Sequence, residues 1–305
     1  MNLPTLSDAL RLERLQPAKG KIKMVLDTDT YNEIDDQFAI VYALLSPEQL
    51  DVEAIYAAPF HNDRSTGPAD GMEKSHEEIL RLLDKLDVSP DGLVYEGSTG
   101  FLADYDHPYQ SEAAMDLVER AMATQDEPLY VVAIAAITNI VSAILIEPKI
   151  IERIVVVWLG GHALHWPDTK EFNLKQDIPA SRFIFDCGVP LVQIPCAGVT
   201  THLRTTVSEM EQYVQGRGAI GDYLVEIFKD YTVDHYAWSK EIWDIVTIAY
   251  LINHSWVPTE LVHSPILTDQ VTWSMDRSRH FIRYANYVNR DPIFRDIFTK
   301  LEALG

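Results

Sequence analysis

Four carboxylates crowd into ten residues near the N-terminus: Asp27, Asp29, Asp35 and Asp36, with Glu33 between the pairs. Acids this close repel one another, so they hold protons or share a cation. Ligands that are all oxygen suit Ca²⁺ or Mg²⁺ rather than Zn²⁺. The flanking residues place the acids. Met24–Leu26 is an apolar run that reads as a buried strand, and Phe38–Leu45 lacks Pro and Gly and reads as a helix. The acids therefore sit between a strand's C-terminal end and a helix's first turn. Open α/β sheets bind ligands there, and the helix dipole favours anions.

The rest of the chain must supply a sheet to hold this loop. Strands are expected at Ile22–Leu26, Asp51–Ala58, Leu93–Tyr95, Leu129–Ala135, within Ile150–Leu159, and at Val189–Ile194. Helices are expected at Met72–Leu86, Ser111–Thr124, Thr138–Ile146 and Ile178–Asp186. Continuous apolar strands such as LYVVAIA are those buried on both faces. This alternation predicts an α/β fold with a mainly parallel central sheet and helices on both faces. Residues 1–20 read as a lead-in. From Val207 onward the pattern reads as extra helices, with one β-like piece near Val271–Ser274. Without a linker or repeat, residues 1–305 are expected to form a single domain.

Composition bounds the partners. The 305 residues carry 25 Lys and Arg against 46 Asp and Glu, a formal charge of −21. That argues against nucleic acid or an anionic membrane, and fits a small ligand or a metal. Cys187 and Cys196, the two cysteines, form no disulfide framework, so a cytoplasmic location is expected. The N-terminal residues lack a signal-peptide core, and no apolar run is long enough for a membrane span.

Three later pieces return to the acidic loop if the sheet is parallel. They are Ala136-Ile137-Thr138-Asn139 after LYVVAIA, Gly160-Gly161 with Glu171-Phe172-Asn173, and Trp243-Asp244 before an apolar helix. Together with Asp27-Thr28-Asp29 and Asp35-Asp36, this pattern resembles the nucleoside hydrolase (inosine–uridine preferring) family from about Ile22 to Ile252. The family's usual loop is DxDPGxDD. Here five residues, Thr30–Ile34, replace the usual three, which adds Asn32 and Glu33 beside the site. Ala135-Ala136 also replaces a glycine-rich step.

The resemblance implies a Ca²⁺-dependent hydrolase that cleaves ribonucleosides, purines preferred, to ribose and free base. Asp29, Asp36, Asp244 and the Ile134 carbonyl would hold the Ca²⁺, and Asp29 would be general base for the attacking water. Asp35, Asn62 and Asn173 would bind the 2′-hydroxyl, Asp244 the 3′-hydroxyl, and Glu171 with His165 the 5′-hydroxyl. Many members carry a leaving-group His immediately before the last Asp; this chain has Trp243 there. In the purine-specific branch a Trp there stacks on the base, and an Asp follows the loop Asn, as Asp63 follows Asn62 here. His235 is the candidate acid, in an aromatic segment with Tyr231, Tyr236 and Trp238. A homo-dimer or homo-tetramer is also implied.

Two rival readings stand beside this one. The fold could hold Ca²⁺ and a ribose-like sugar without cleaving it. Alternatively, Asp27-Thr28-Asp29-Thr30 fits the DxDxT opening of haloacid-dehalogenase-like phosphatases, with Asp27 as nucleophile and Asp29 as acid. An EF-hand fails, because the loop has Asn32 where Gly is needed and Phe38 where Glu is needed.

Overall fold

A computed structural model describes residues 3–124 and 127–305. Six strands run through the first two thirds of the chain: β1 (Ile22–Thr28), β2 (Leu50–Ala57), β3 (Val94–Glu96), β4 (Leu129–Ala133), β5 (Ile154–Leu159) and β6 (Leu191–Ile194). Two-residue strands β7 (Arg204–Thr205) and β8 (Lys240–Glu241) pair as an antiparallel ribbon. Then come β9 (Thr259–His263), the short antiparallel pair β10 (Ile266–Leu267) and β11 (Trp273–Ser274), and β12 (Phe281–Ala285).

The main sheet has the order β3-β2-β1-β4-β5-β6-β12-β9. Every neighbouring pair is parallel except β12–β9, so the expected α/β fold with a mainly parallel sheet is present. The chain steps outward from β1 to β3, then crosses back to lay β4 on the other side of β1. That reversal is a topological switch point, where the strands' carboxyl ends leave a crevice.

Among the described residues, eleven α-helices accompany the strands: α1 (Asp8–Arg14), α2 (Asp35–Leu44), α3 (Pro68–Lys85), α4 (Glu112–Ala123), α5 (Thr138–Ile146), α6 (Phe172–Gln176), α7 (Ile178–Asp186), α8 (Val207–Tyr213), α9 (Gly218–Asp230), α10 (Ile245–Ile252) and α11 (Arg290–Glu302). Alternate strand residues feed two cores. Met24, Leu26, Val132 and Val157 pack with α2, α3 and α8–α11. Val25, Val131, Val156 and Trp158 pack with α4, α5 and α7. Burial on both faces explains why these strands read as unbroken apolar runs.

One expectation is corrected. The C-terminal third is not only helical, because it adds β9 and β12 to the main sheet. Strand β9 is an edge with exposed Glu260 and Leu261, so it lacks an apolar signature. The strand expected within Ile150–Leu159 is β5, which follows a 3₁₀ turn, Pro148–Glu152. Pro148 fixes the entry, and the Glu147 side chain caps the Lys149 N–H at 3.2 Å.

Candidate active site

The site lies at the β1/β4 switch point. Asp35 and Asp36 occupy the first turn of α2, and Asp244 stands at the N-terminal boundary of α10. None of the three spends its side chain on capping its own helix. Helix α10 is buried from Ile245 to Leu251 and packs against α2, so the two N-termini converge. One carboxylate oxygen each from Asp35, Asp36 and Asp244 lies within 4.8 Å of the others. Two ligands on opposite sides of a cation at about 2.4 Å would be separated by about that distance.

Asp29 follows the end of β1 and is 1% exposed, and both of its carboxylate oxygens lack a hydrogen-bond partner. Burial, then the charges of Asp36, Asp35 and Glu171, raise its pKa well above the usual carboxylate range. Burial and neighbouring acids push Asp36 up to about 8. Burial likewise lifts Asp35 to about 6, against the pull of Lys240. Asp244 is raised by burial and by Asp35, Asp36 and Asp29. A buried carboxylate without a partner is costly, and a set of acids with spare oxygens fits a hard divalent cation. The close triple thus contains Asp35, which the resemblance gave to the sugar, while Asp29 borders it electrostatically.

Ile134 leaves β4 beside the acids. Its N–H donates to the Asp27 carbonyl at 2.9 Å, and its carbonyl accepts from Asn173 Nδ2 at 3.1 Å. Asn173 also donates to the Leu159 carbonyl at 3.0 Å. Glu171 caps α6, accepting from the N–H groups of Asn173, Leu174 and Gly161 at 2.8–3.0 Å. The glycine pair is required by space. A Cβ on Gly160 would strike the Trp158 ring, and Gly161 has a φ of +76° against Thr169 and Trp273.

A cleft of about 280 Å³ opens over these groups. Asn32, Glu33, Asp35, Asp36, Ile134, Glu171, Asn173, Trp243 and Asp244 line it, together with His162, Lys170, Phe172 and Cys196. Other expected residues stand outside its lining, and Asp29 is one of them, buried below it. Asp63 is exposed. Asn62 spends its Nδ2 on Asn32 Oδ1 at 2.7 Å and its Oδ1 on the Arg64 N–H at 2.8 Å, so the inserted Asn32 stands between it and the cleft. His165 packs edge-on against Trp166, and it is His162 that reaches the cleft. His162 Nδ1 accepts from the Ala197 N–H at 3.2 Å, which leaves its proton on Nε2. His235 is exposed, with Nε2 on the Lys229 carbonyl at 2.9 Å, because the 231–239 loop turns its ring away.

Sequence reasoning passed over Lys240. It is 4% exposed, ion-paired with Glu33, and its Nζ sits 4.1 Å from the Trp243 ring centroid. Burial opposes its charge, but Asp35 and Glu33 outweigh that and raise its pKa above the ordinary lysine value. The phosphatase reading loses its nucleophile here. Asp27 shares the sheet face of Val25, and its Oδ1 accepts from Asn139 of α5 at 2.8 Å, away from the cleft.

A parallel sheet with acids and a strand-end carbonyl gathered at its switch point, under a cleft for a small molecule, defines an α/β protein with a metal-binding ligand site. Residues 24–291 match the family model described as inosine-uridine preferring nucleoside hydrolase, and the chain belongs to that family, whose members are metal-dependent. A pyrimidine-specific ribonucleoside hydrolase, RihA of Klebsiella pneumoniae (strain 342), is 25% identical over 265 residues, covering 76% of this chain and 80% of the relative. Two solved structures share the fold. A plant nucleoside hydrolase, PpNRh1, has a TM-score of 0.75 at 20% identity, covering 92% of this chain and 99% of that one. A purine-preferring ribonucleoside hydrolase from Gardnerella vaginalis has a TM-score of 0.75 at 21% identity, covering 92% and 98%.

Proposed function

We propose that this chain hydrolyses the N-glycosidic bond of ribonucleosides, purines preferred, with Ca²⁺ as its metal. The observation that carries this reading is the convergence of Asp35, Asp36 and Asp244 beside Asp29, whose two oxygens have no partner. When bound, Ca²⁺ supplies Lewis-acid polarisation of the attacking water and a grip on vicinal hydroxyls. Asp29, Asp36, Asp244 and the Ile134 carbonyl would hold it.

The chain's own residues do the rest. Asp29 accepts the water's proton. Asp35 and Asn173 orient the 2′-hydroxyl, Asp244 the 3′-hydroxyl, and Glu171 the 5′-hydroxyl from its fixed position as a helix cap. The ring of carboxylates stabilises the positive charge that grows on the sugar as the bond to the base lengthens. The base lies toward Trp243, whose place in the cleft lining supports an aromatic contact with a purine. One face of that ring lies under Lys240, so a base meets the remaining surface. Two free cysteines accord with a reducing, cytoplasmic setting. Among the described residues, no helix is long and apolar enough to cross a membrane.

The test is release of ribose and free base from inosine and from uridine, with added Ca²⁺ and after chelation. We expect turnover of both, faster for inosine, and none after chelation. Preference for uridine would assign the chain to the pyrimidine side, where RihA of Klebsiella pneumoniae stands by name. Ribose binding by calorimetry without cleavage of either substrate would overturn the hydrolase reading in favour of a sugar-binding protein.

A further inference from the structure

Ionised acids accept hydrogen bonds and donate none. A ribose hydroxyl has one proton to give and two lone pairs to fill. In the reading above, Asp35 takes the proton of the 2′-hydroxyl, so the hydroxyl oxygen needs a donor. Most side-chain nitrogens in the cleft lining are committed elsewhere. Asn173 Nδ2 spends both its protons, on the carbonyls of Ile134 and Leu159. Trp243 Nε1 is sealed from solvent. His162 and Lys170 belong to the stretch that leads into Glu171, the expected 5′ end.

Asn32 is differently held. It lies three residues before Asp35, its N–H donates to the Asp29 carbonyl at 2.7 Å, and it lines the cleft. A relay of amides decides which end of its side chain is free. The Arg64 main-chain N–H can only donate, and it donates to Asn62 Oδ1 at 2.8 Å. Asn62 Nδ2 must then face Asn32, where it meets Oδ1 at 2.7 Å and the main-chain carbonyl at 3.4 Å. Asn32 Oδ1 is thereby turned onto Asn62, which does not line the cleft. That leaves Asn32 Nδ2 with two N–H groups and no acceptor among the described residues. This nitrogen is open to solvent, although the residue as a whole is only 9% exposed, and the cleft is where that residue is open.

We propose that Asn32 is a specificity residue of this chain: its Nδ2 donates to the ribose 2′-hydroxyl, whose proton Asp35 accepts. Asn62 is the positioning residue, which fixes the orientation of the Asn32 amide. The inference rests on the hydrolase reading. It gives the sugar contact expected of Asn62 to a residue of the five-residue stretch between the acid pairs. A site that hydrogen-bonds a hydroxyl rejects the analogue lacking it, because the site's polar groups are left unpaired. Selection of ribosides over 2′-deoxyribosides then depends on Asn32 together with Asp35.

The test measures kcat/KM of the full-length chain at saturating Ca²⁺ on inosine and on 2′-deoxyinosine. If turnover of 2′-deoxyinosine is below detection, its affinity is read as a competitive inhibitor of inosine cleavage. Asn32→Ala should cost roughly tenfold on inosine, the upper worth of one such hydrogen bond. Its loss on 2′-deoxyinosine should stay within about twofold, the lower end of that worth. Ca²⁺ affinity by calorimetry should be unchanged. Asn62→Ala should show the same split at roughly threefold, between those limits, and serves if Asn32→Ala does not fold. The double variant should lose no more than Asn32→Ala alone, because members of one hydrogen-bond network are not additive. Losses that multiply would overturn the role of Asn62. Equal losses on the two compounds, no loss on inosine, or a weakened Ca²⁺ affinity would overturn the role of Asn32. So would a wild-type chain that turns over 2′-deoxyinosine as fast as inosine, which leaves the hydrolase reading standing. A wild-type chain inert to inosine and uridine would remove the hydrolase reading and this inference with it.

Discussion

On the floor of the cleft, Asp35, Asp36 and Asp244 come from two helix starts, with buried Asp29 beneath them just past the end of β1. On the wall, Glu33 and Trp243 come from the loop between the acid pairs and the turn before α10, with buried Lys240 of a two-residue ribbon behind them. The floor acids stand on regular elements, strand β1 and helices α2 and α10, whereas Glu33 of the wall stands in the five-residue stretch between the two acid pairs. In the proposed function the floor grips the sugar, common to every ribonucleoside, and the wall meets the base, the part that varies. Floor substitutions should therefore damage every substrate alike, and wall substitutions should discriminate among them.

The largest effect expected is at the floor. Asp29→Ala should cut kcat by roughly 10³-fold or more on inosine and uridine alike, within the range for a general base. The fold should persist by circular dichroism. A loss confined to one base would break the division between floor and wall. Chelation comes next. It should abolish turnover and lower the melting temperature, since metal at 100 times its Kd adds about 2.7 kcal/mol of stability. A melting temperature indifferent to Ca²⁺ would mean that the acids do not share a cation.

Wall effects should be smaller and selective. Trp243→Ala should slow purine cleavage by at least roughly tenfold, the worth of a good aromatic contact, and slow uridine less. Equal losses would make Trp243 a structural residue. The smallest effects belong to Asp63 and His235, both exposed and outside the cleft lining. Asp63→Ala and His235→Ala should each change kcat/KM by less than about twofold, as surface changes do. A larger effect from either would place its loop over the base.

The floor was legible in the sequence because its position follows from local pattern. An acid after an apolar strand, or before an apolar helix, lies at the edge of a parallel sheet whichever strands pair. The wall was not legible, because its contacts are tertiary. Glu33 and Lys240 meet across more than two hundred residues of chain, and nothing in the short stretch around Lys240 marks it as buried. His235 and His165 show the same limit from the other side. A histidine's position says nothing of where its ring points, and a backbone carbonyl and a tryptophan hold these two outside the cleft. Strand β9 escaped for a similar reason, because an edge strand has little apolar pattern to betray it, while β12, interior between β6 and β9, is a five-residue strand broken by Arg283.

The outward-and-back path of the sheet has a consequence for biogenesis. Asp29 leaves a ribosome well before Asp244, which follows it by 215 residues (244 − 29). A nascent chain can present the early acids but cannot complete the cradle until α10 has docked on α2. Metal loading would then act as a late clasp, closing only on chains that have finished folding.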